Sequence, residues 1–155
     1  MTAATKHGLN KIRFWNEEDF RELVETGIHK PGRYIGQELG IKAKNWEDAK
    51  VRWALTYPEL YEVGISNLGH IILYSILNEV PGQLCDRAYL PGEDLVAKLK
   101  EAGRTLFAIE SRRPLISFDI LGFSLSYELG ATNILEMLSQ AAIPFYSADR
   151  NDHHL

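Results

Sequence analysis

The octet Tyr61-Glu62-Val63-Gly64-Ile65-Ser66-Asn67-Leu68 returns as Tyr127-Glu128-Leu129-Gly130-Ala131-Thr132-Asn133-Ile134. Four positions are identical and the other four are close exchanges. Each copy follows an apolar, strand-like run and precedes an apolar, helix-like one. A strand–turn–helix junction made twice points to an open α/β sheet, whose strands feed helices that recross the sheet face. Such a junction also gathers free backbone N–H groups at the helix start, beside the strand end where α/β sheets bind ligands.

The rest of the chain supplies the elements such a sheet needs. A strand is expected over 51–57, closed by Pro58. Asn67 caps a helix to 79, and Pro81-Gly82 stops it. That helix carries Leu68, Ile71, Ile72, Leu73, Ile76 and Leu77, so it is apolar over most of its girth and expected to be buried. A second strand follows over 84–90. An amphipathic helix over 94–102 turns Leu95, Leu99 and Ala102 inward and ends at Gly103. A third strand is expected over 105–109, a loop with Arg112, Arg113 and Pro114 over 111–117, and a fourth strand over 118–125. Thr132 or Asn133 caps a last helix to about 142, before Pro144, and Phe145-Tyr146 is a candidate start of another strand.

This order predicts an α/β fold, a doubly wound Rossmann-like parallel sheet in the order 3-2-1-4, with final strand or strands missing. The first and fourth strands are then neighbours at the topological switch point, and the two octets are expected to face each other across one crevice. The polar run at 149–155 stands where a fifth strand is expected. The fourth strand would be left as an exposed edge, which suggests a fragment. Residues 1–50 read as an N-terminal helix and arm, and 51–155 as the main domain. Residues 1–10 read as a frayed start. Asn16 caps a helix with Glu17, Glu18 and Asp19 in its first turn. Trp15 and Phe20 hold the staple positions, Phe20, Leu23 and Val24 form the apolar stripe, and Gly27 ends the helix. The turn-rich segment 29–36 reads as an arm laid on the main domain, ending near Trp46-Glu47-Asp48.

Charge and cysteine content exclude several functions. The net charge is −4 over 155 residues, so no basic face for nucleic acid is expected, and Arg112-Arg113 reads as a solvated loop pair. Cys85 is the single cysteine. It cannot form a disulfide within the chain or hold an iron–sulfur cluster, and it reads as a small buried hydrophobe. Residues 1–9 lack the apolar core of a signal peptide, and the run 68–77 is too short to span a bilayer. A cytoplasmic location is expected.

The candidate site residues lie in and beside the octets. Gly64 and Gly130 permit turns with φ > 0 and close approach of a ligand. Ser66-Asn67 and Thr132-Asn133 read as helix caps whose nearby N–H groups favour phosphate or amide oxygens, or as well-made caps with no ligand. Tyr61 and Tyr127 either line the crevice or simply pack there. Glu62 and Glu128 form a carboxylate pair or are solvated and Arg-paired. His70 is a candidate cobalt or metal ligand or a structural histidine, with no second ligand near it in sequence. His153-His154 is terminal and expected to be disordered. Neither a P-loop nor a GxGxxG motif occurs, which argues against ATP and NAD.

The run Tyr57-Pro58-Glu59-Leu60-Tyr61-Glu62-Val63-Gly64-Ile65-Ser66-Asn67-Leu68-Gly69 resembles the opening of the N-terminal domain in cobalamin-binding-domain radical S-adenosylmethionine proteins. Ile72-Leu73-Tyr74-Ser75-Ile76-Leu77-Asn78, Phe107-Ala108-Ile109-Glu110-Ser111 and Phe118-Asp119-Ile120-Leu121-Gly122-Phe123-Ser124-Leu125-Ser126-Tyr127-Glu128-Leu129 continue the likeness in order. The arm segment Lys30-Pro31-Gly32-Arg33-Tyr34-Ile35-Gly36-Gln37-Glu38 matches as well.

The resemblance implies a cobalamin-type domain placed before a radical S-adenosylmethionine barrel. The barrel's three-cysteine motif holds a four-iron four-sulfur cluster and cleaves S-adenosylmethionine to start radical chemistry. Barrel and motif are absent from this sequence, so S-adenosylmethionine and the cluster are implied only for that barrel, and no catalytic residue is assigned here. The cofactor-binding set is Tyr57, Tyr61, Gly64, Ser66, Asn67, Gly69, Ser124, Ser126, Tyr127, Glu128, Gly130, Thr132 and Asn133. The Asp-x-His-x-x-Gly signature of other cobalamin proteins is absent, which argues against a histidine on the cobalt. The expected partners are cobalamin and the barrel of the same full-length protein, with neither nucleic acid nor membrane. The rival reading is a degenerate Rossmann-like interaction module that binds no cofactor and docks on the barrel or a partner. A third is another phosphate-bearing small molecule at the helix N-termini.

Overall fold

The computed structural model describes residues 15–39, 41 and 44–151. The expectations for residues 1–10 and for His153-His154 lie outside them.

Helix α1, Glu17–Glu25, starts as its acidic first turn predicts, with Asn16 Oδ1 accepting the N–H of Asp19 at 2.7 Å. Phe20 and Leu23 are its buried side chains, and the Trp15 and Phe20 rings meet edge to face at 6.4 Å. The helix ends on Thr26, and Gly27 follows at φ 83°. Phe20, Leu23, Ile28 and Tyr34 share one core cluster with Ala54, Leu84 and Ala88 of the sheet. Tyr34 anchors the arm there by accepting the N–H of Gly92 at 3.1 Å.

Strands β1 (Val51–Tyr57), β2 (Gln83–Tyr89) and β3 (Ile120–Phe123) form a parallel sheet in the order β2-β1-β3. Val51 pairs with Gln83 and Tyr57 with Tyr89, while Trp53 pairs with Ile120 and Thr56 with Phe123. Side chains alternate across β1. Ala54 joins the cluster containing Leu95 and Leu99 of α4 (Glu93–Ala102) and Met137 and Leu138 of α5 (Ala131–Gln140). Leu55 joins Tyr74 of α3 (Leu68–Glu79) and Cys85 on the opposite face. The doubly wound α/β class is therefore observed, with β1 and β3 adjacent at the switch point.

Five details differ from the sequence reading. The segment 105–109 lies beside β2, with the Ile109 N–H bonded to the Arg87 carbonyl at 2.8 Å, but it forms no strand. The outer edge of β2 is taken by side chains: Asn78 bonds both the N–H and the carbonyl of Cys85, and Glu110 accepts the Arg87 N–H, so no continuous ladder forms. The last strand is shorter than 118–125, although Asp119 and Ser124 still donate to Arg52 and Thr56 of β1 at 2.9 Å. The last helix starts at Ala131 with Gly130 as its cap, since a 3-10 turn at Glu128–Gly130 runs straight into it; Thr132 and Asn133 are inside the helix. Phe145-Tyr146 opens no strand and leads into a 3-10 turn at Ser147–Asp149. Finally, α3 is not enclosed. His70 and Tyr74 are buried, but Leu68, Ile72, Leu73 and Ile76 are exposed.

Candidate functional site at the strand ends

The two octets leave the C-terminal ends of β1 and β3, and the second bonds to Pro58 and Glu59, the residues that lead into the first. Tyr57 Oη and Ser126 Oγ lie 3.1 Å apart. Asn133 Nδ2 donates to the Pro58 carbonyl at 2.9 Å and to Glu59 Oε1 at 3.3 Å, and Tyr127 Oη donates to the same Glu59 oxygen. The first octet folds as a short helix, α2 (Tyr61–Gly64), and then a capped helix start. Asn67 Oδ1 accepts the His70 N–H at 3.0 Å, and its Nδ2 donates to Tyr57 Oη at 3.2 Å. The matching asparagines thus have different duties: Asn67 caps its own helix, whereas Asn133 holds the opposite loop. Ser66 and Thr132 donate their hydroxyls to the Glu62 and Leu129 carbonyls. We expect Asn133→Ala to cost about 1 kcal/mol, the value of a lost hydrogen bond, and to speed amide exchange over 58–66. Unchanged exchange there would show that Asn133 does not hold the loop.

Neither octet glycine serves a positive φ. Gly64 is helical and Gly130 has φ −70°. A Cβ on Gly64 would stand 2.4 Å from Tyr89 Cε1, and one on Gly130 would stand 3.0 Å from Leu125 Cδ1 and 3.4 Å from Pro58 Cγ. Both are glycines because side chains of the fold pack against them, which corrects the expected ligand approach. Gly69 lies exposed in the first turn of α3. Glu62 is held by Arg33 at 2.8 Å and Lys30 at 3.2 Å, and the Arg33 hydrogen bond lowers its pKa to about 2. Its partners are thus the arm's basic side chains rather than a second carboxylate.

His70 sits beneath the junction, 1% exposed, with Nδ1 3.0 Å from Ser124 Oγ and its ring 5.4 Å from Tyr57 and 5.7 Å from Tyr89. Its Nε2 is buried with no hydrogen-bond partner. Burial, then the nearby Arg87 charge, lowers its pKa to about 4. The unfolded chain binds this proton near pH 6.5 and the folded chain only near 4. The stability held by neutral His70 is therefore complete above 6.5 and is lost as pH falls towards 4. Asp86 acts in the opposite sense over the same range: burial raises its pKa to about 6, so its contribution is complete below 3.8 and is lost as pH rises through 6. The test for His70 is therefore a difference. In urea titrations from pH 7 to 4, His70→Gln should lose less stability than the parent chain; parallel profiles would overturn this account.

The arm meets the junction through a charge cluster that motif reading passed over. Arg87 is fully buried in β2, with Nε 2.6 Å from Glu110 Oε1 and Nη2 2.5 Å from Glu38 Oε2. Glu38 also accepts Tyr61 Oη at 2.6 Å, which links the arm, the first octet and β2. Asp86 accepts the N–H groups of Arg87, Glu110 and Ser111 at 2.8–3.0 Å. The sequence signal was available: Asp86-Arg87 is a charged pair inside an otherwise apolar strand, and such residues are buried only when paired.

A corrin needs a broad apolar seat and, in some proteins, an axial histidine. Exposed apolar side chains stand on both loops: Val63, Leu68 (72% exposed), Leu125, Tyr127 and Leu129 (80%). These fit the face of a large planar ring. His70 does not fit an axial role, because it is buried between tyrosine rings and already bonded to Ser124. Among the described residues no group of three or more His, Cys, Asp or Glu side chains is placed to hold a metal ion, and no helix is long and apolar enough to cross a membrane. A family model described as "Radical SAM proteins, N-terminal" matches residues 69–155. No curated protein and no solved structure matches the chain.

Proposed function

Because the chain belongs to the family of radical SAM protein N-terminal regions, we propose that it forms the cofactor-facing wall of a radical SAM iron–sulfur enzyme, seating a corrin against the catalytic barrel. The observation that supports this reading is the apolar surface that both octets raise at the switch point, carried by Val63, Leu68, Leu125, Tyr127 and Leu129. Ligands of doubly wound sheets bind beyond these strand ends. Bound cobalamin would supply cobalt redox and alkyl-transfer chemistry. This chain's side chains would contribute apolar contact and exclude water, while His70 is too enclosed to serve the cobalt. The Ser66 and Thr132 hydroxyls donate to their own backbone, so they leave lone pairs rather than protons for a polar rim.

The test is a hydroxocobalamin titration of the full-length radical SAM protein, followed by visible absorbance. Saturable binding is expected, weakened about tenfold or more by Leu129→Asp, equivalent to about 1.4 kcal/mol. No spectral change and no co-purified corrin would sink the reading. One observation favours the rival, a docking module without cofactor: Ser126, Tyr127 and Asn133 already spend hydrogen bonds on Tyr57, Pro58 and Glu59 across the switch point. Under that reading Leu129→Asp and Ile72→Asp expose the domain–barrel linker to limited proteolysis while the absorbance of added cobalamin stays that of the free compound.

A further inference from the structure

Two serine hydroxyls follow β3, and the buried groups behind them decide what they offer. Ser124 directly follows the strand and is half-buried, and Ser126 is exposed. Behind Ser126 the order of protons is fixed. Asn67 Oδ1 is taken by the His70 N–H, so the amide nitrogen is the end of Asn67 that meets Tyr57 Oη, at 3.2 Å. Tyr57 is buried, and Ser126 Oγ, 3.1 Å away, is the other partner of its hydroxyl. A buried phenol proton without an acceptor carries its full desolvation cost, so Tyr57 donates and Ser126 accepts. Ser126 thus keeps its own proton. Behind Ser124 stands His70, with Nδ1 3.0 Å from Ser124 Oγ and Nε2 buried without a partner. Burial and the Arg87 charge hold this ring uncharged at neutral pH, so it carries a single proton. On Nε2 that proton would be an orphan N–H near a positive charge, whereas on Nδ1 it bonds to Ser124. Orphaned buried N–H groups are rarer in proteins than under-satisfied acceptors. Neither serine hydroxyl has a second partner among the described residues.

We propose that His70 carries its proton on Nδ1, and that Ser124 and Ser126, each accepting a hydrogen bond from behind, form a paired donor site for acceptor oxygens of the ligand at the switch point. His70 acts here as a positioning residue, since it is buried and reaches the ligand only through Ser124. The inference rests on the corrin reading. It adds the donors that Ser66 and Thr132 do not supply, because their protons are spent on backbone carbonyls. A cobalamin offers acceptor oxygens of two kinds, the carbonyls of its ring amides and the phosphodiester of its nucleotide tail.

The experiment titrates the full-length radical SAM protein with hydroxocobalamin and with dicyanocobinamide, which keeps the ring amides and lacks the nucleotide. Ser124→Ala and Ser126→Ala are each expected to weaken cobalamin binding about threefold to tenfold, the value of one hydrogen bond. An equal loss with the cobinamide assigns the oxygens to the ring amides, and a loss with cobalamin alone assigns them to the phosphodiester. His70→Asn, whose amide N–H takes the place of Nδ1–H, should bind like the parent. His70→Gln, whose amide takes the place of Nε2, should bind as weakly as Ser124→Ala. Nitrogen NMR of the histidine-labelled protein without ligand should find the His70 proton on Nδ1. A proton on Nε2 would overturn the proposal, as would parent-like affinity of both serine variants in a protein that does bind cobalamin. If the parent binds neither corrin, the corrin reading itself fails and the donor site falls with it.

Discussion

Replacing Arg87 with methionine is expected to cost the folded chain about 3–5 kcal/mol, the range for removing one partner of a buried ion pair. The guanidinium is fully buried and lies 2.6 Å from Glu110 and 2.5 Å from Glu38. It also stacks 4.8 Å over the Tyr74 ring and donates to Tyr89 Oη at 3.4 Å. Methionine keeps much of the volume, so the cost is mainly electrostatic. Glu110, whose side chain is only 5% exposed, is left charged and uncompensated. Domains of this size are commonly stable by about 5–15 kcal/mol, so such a loss is a large share of the whole. Urea unfolding at neutral pH measures it. Adding Glu110→Gln to Arg87→Met should recover part of the loss, because the buried charge disappears with its partner. A cost below about 1 kcal/mol would mean that water reaches the cluster and the pair is worth no more than a surface bridge.

The second large effect is expected at Gly36. Its φ is 63°, and a Cβ there would stand 2.4 Å from the Ile109 carbonyl oxygen and 2.7 Å from its carbon. Both are backbone atoms, so no rotamer change relieves the clash. Gly36→Ala should cost about 2–4 kcal/mol, combining a left-handed backbone with overpacking. Gly103 is the control, because it has nearly the same φ of 61° and open space around the added carbon. Gly103→Ala should cost only about 1 kcal/mol, the conformational part alone. Gly36→Ala should also lift the arm. Exchange over 31–38 would quicken, and Tyr61 would lose its Glu38 partner, while β1 and β2 remain protected. Similar costs for the two variants would show that φ, not the Ile109 contact, governs Gly36.

The likeness between the octets was legible because both copies solve the same local problem, leaving a parallel strand and entering a helix. What each asparagine does was not legible. Asn67 and Asn133 occupy matching positions, yet one caps and the other reaches across to Pro58. The 3-10 turn at Glu128–Gly130 carries the second octet into its helix two residues before the sequence capping signal. The segment 105–109 read as a strand because Leu106, Phe107, Ala108 and Ile109 are apolar, and all four are indeed buried. Burial and ladder formation are separate conditions, and the outer edge of β2 is taken by the Asn78 and Glu110 side chains. Arg87 was missed for the opposite reason. A charged residue in a strand announces a partner but not which one, and Glu38 and Glu110 lie 49 and 23 residues away.

The amino-acid sequence by itself determined the α/β class, the parallel strands β1, β2 and β3, the Asn16 and Asn67 caps and the family, since these depend on local periodicity and residue order. Tertiary structure alone decided that the second octet bonds to Pro58 and Glu59 at the end of β1. It also decided that Gly64 and Gly130 are small to admit Tyr89, Leu125 and Pro58, and that the arm locks onto Arg87 through Glu38. The physical reason is reach: helix caps and strand alternation are settled within a few residues, whereas a buried charge or a close contact is settled by whatever the fold brings to it.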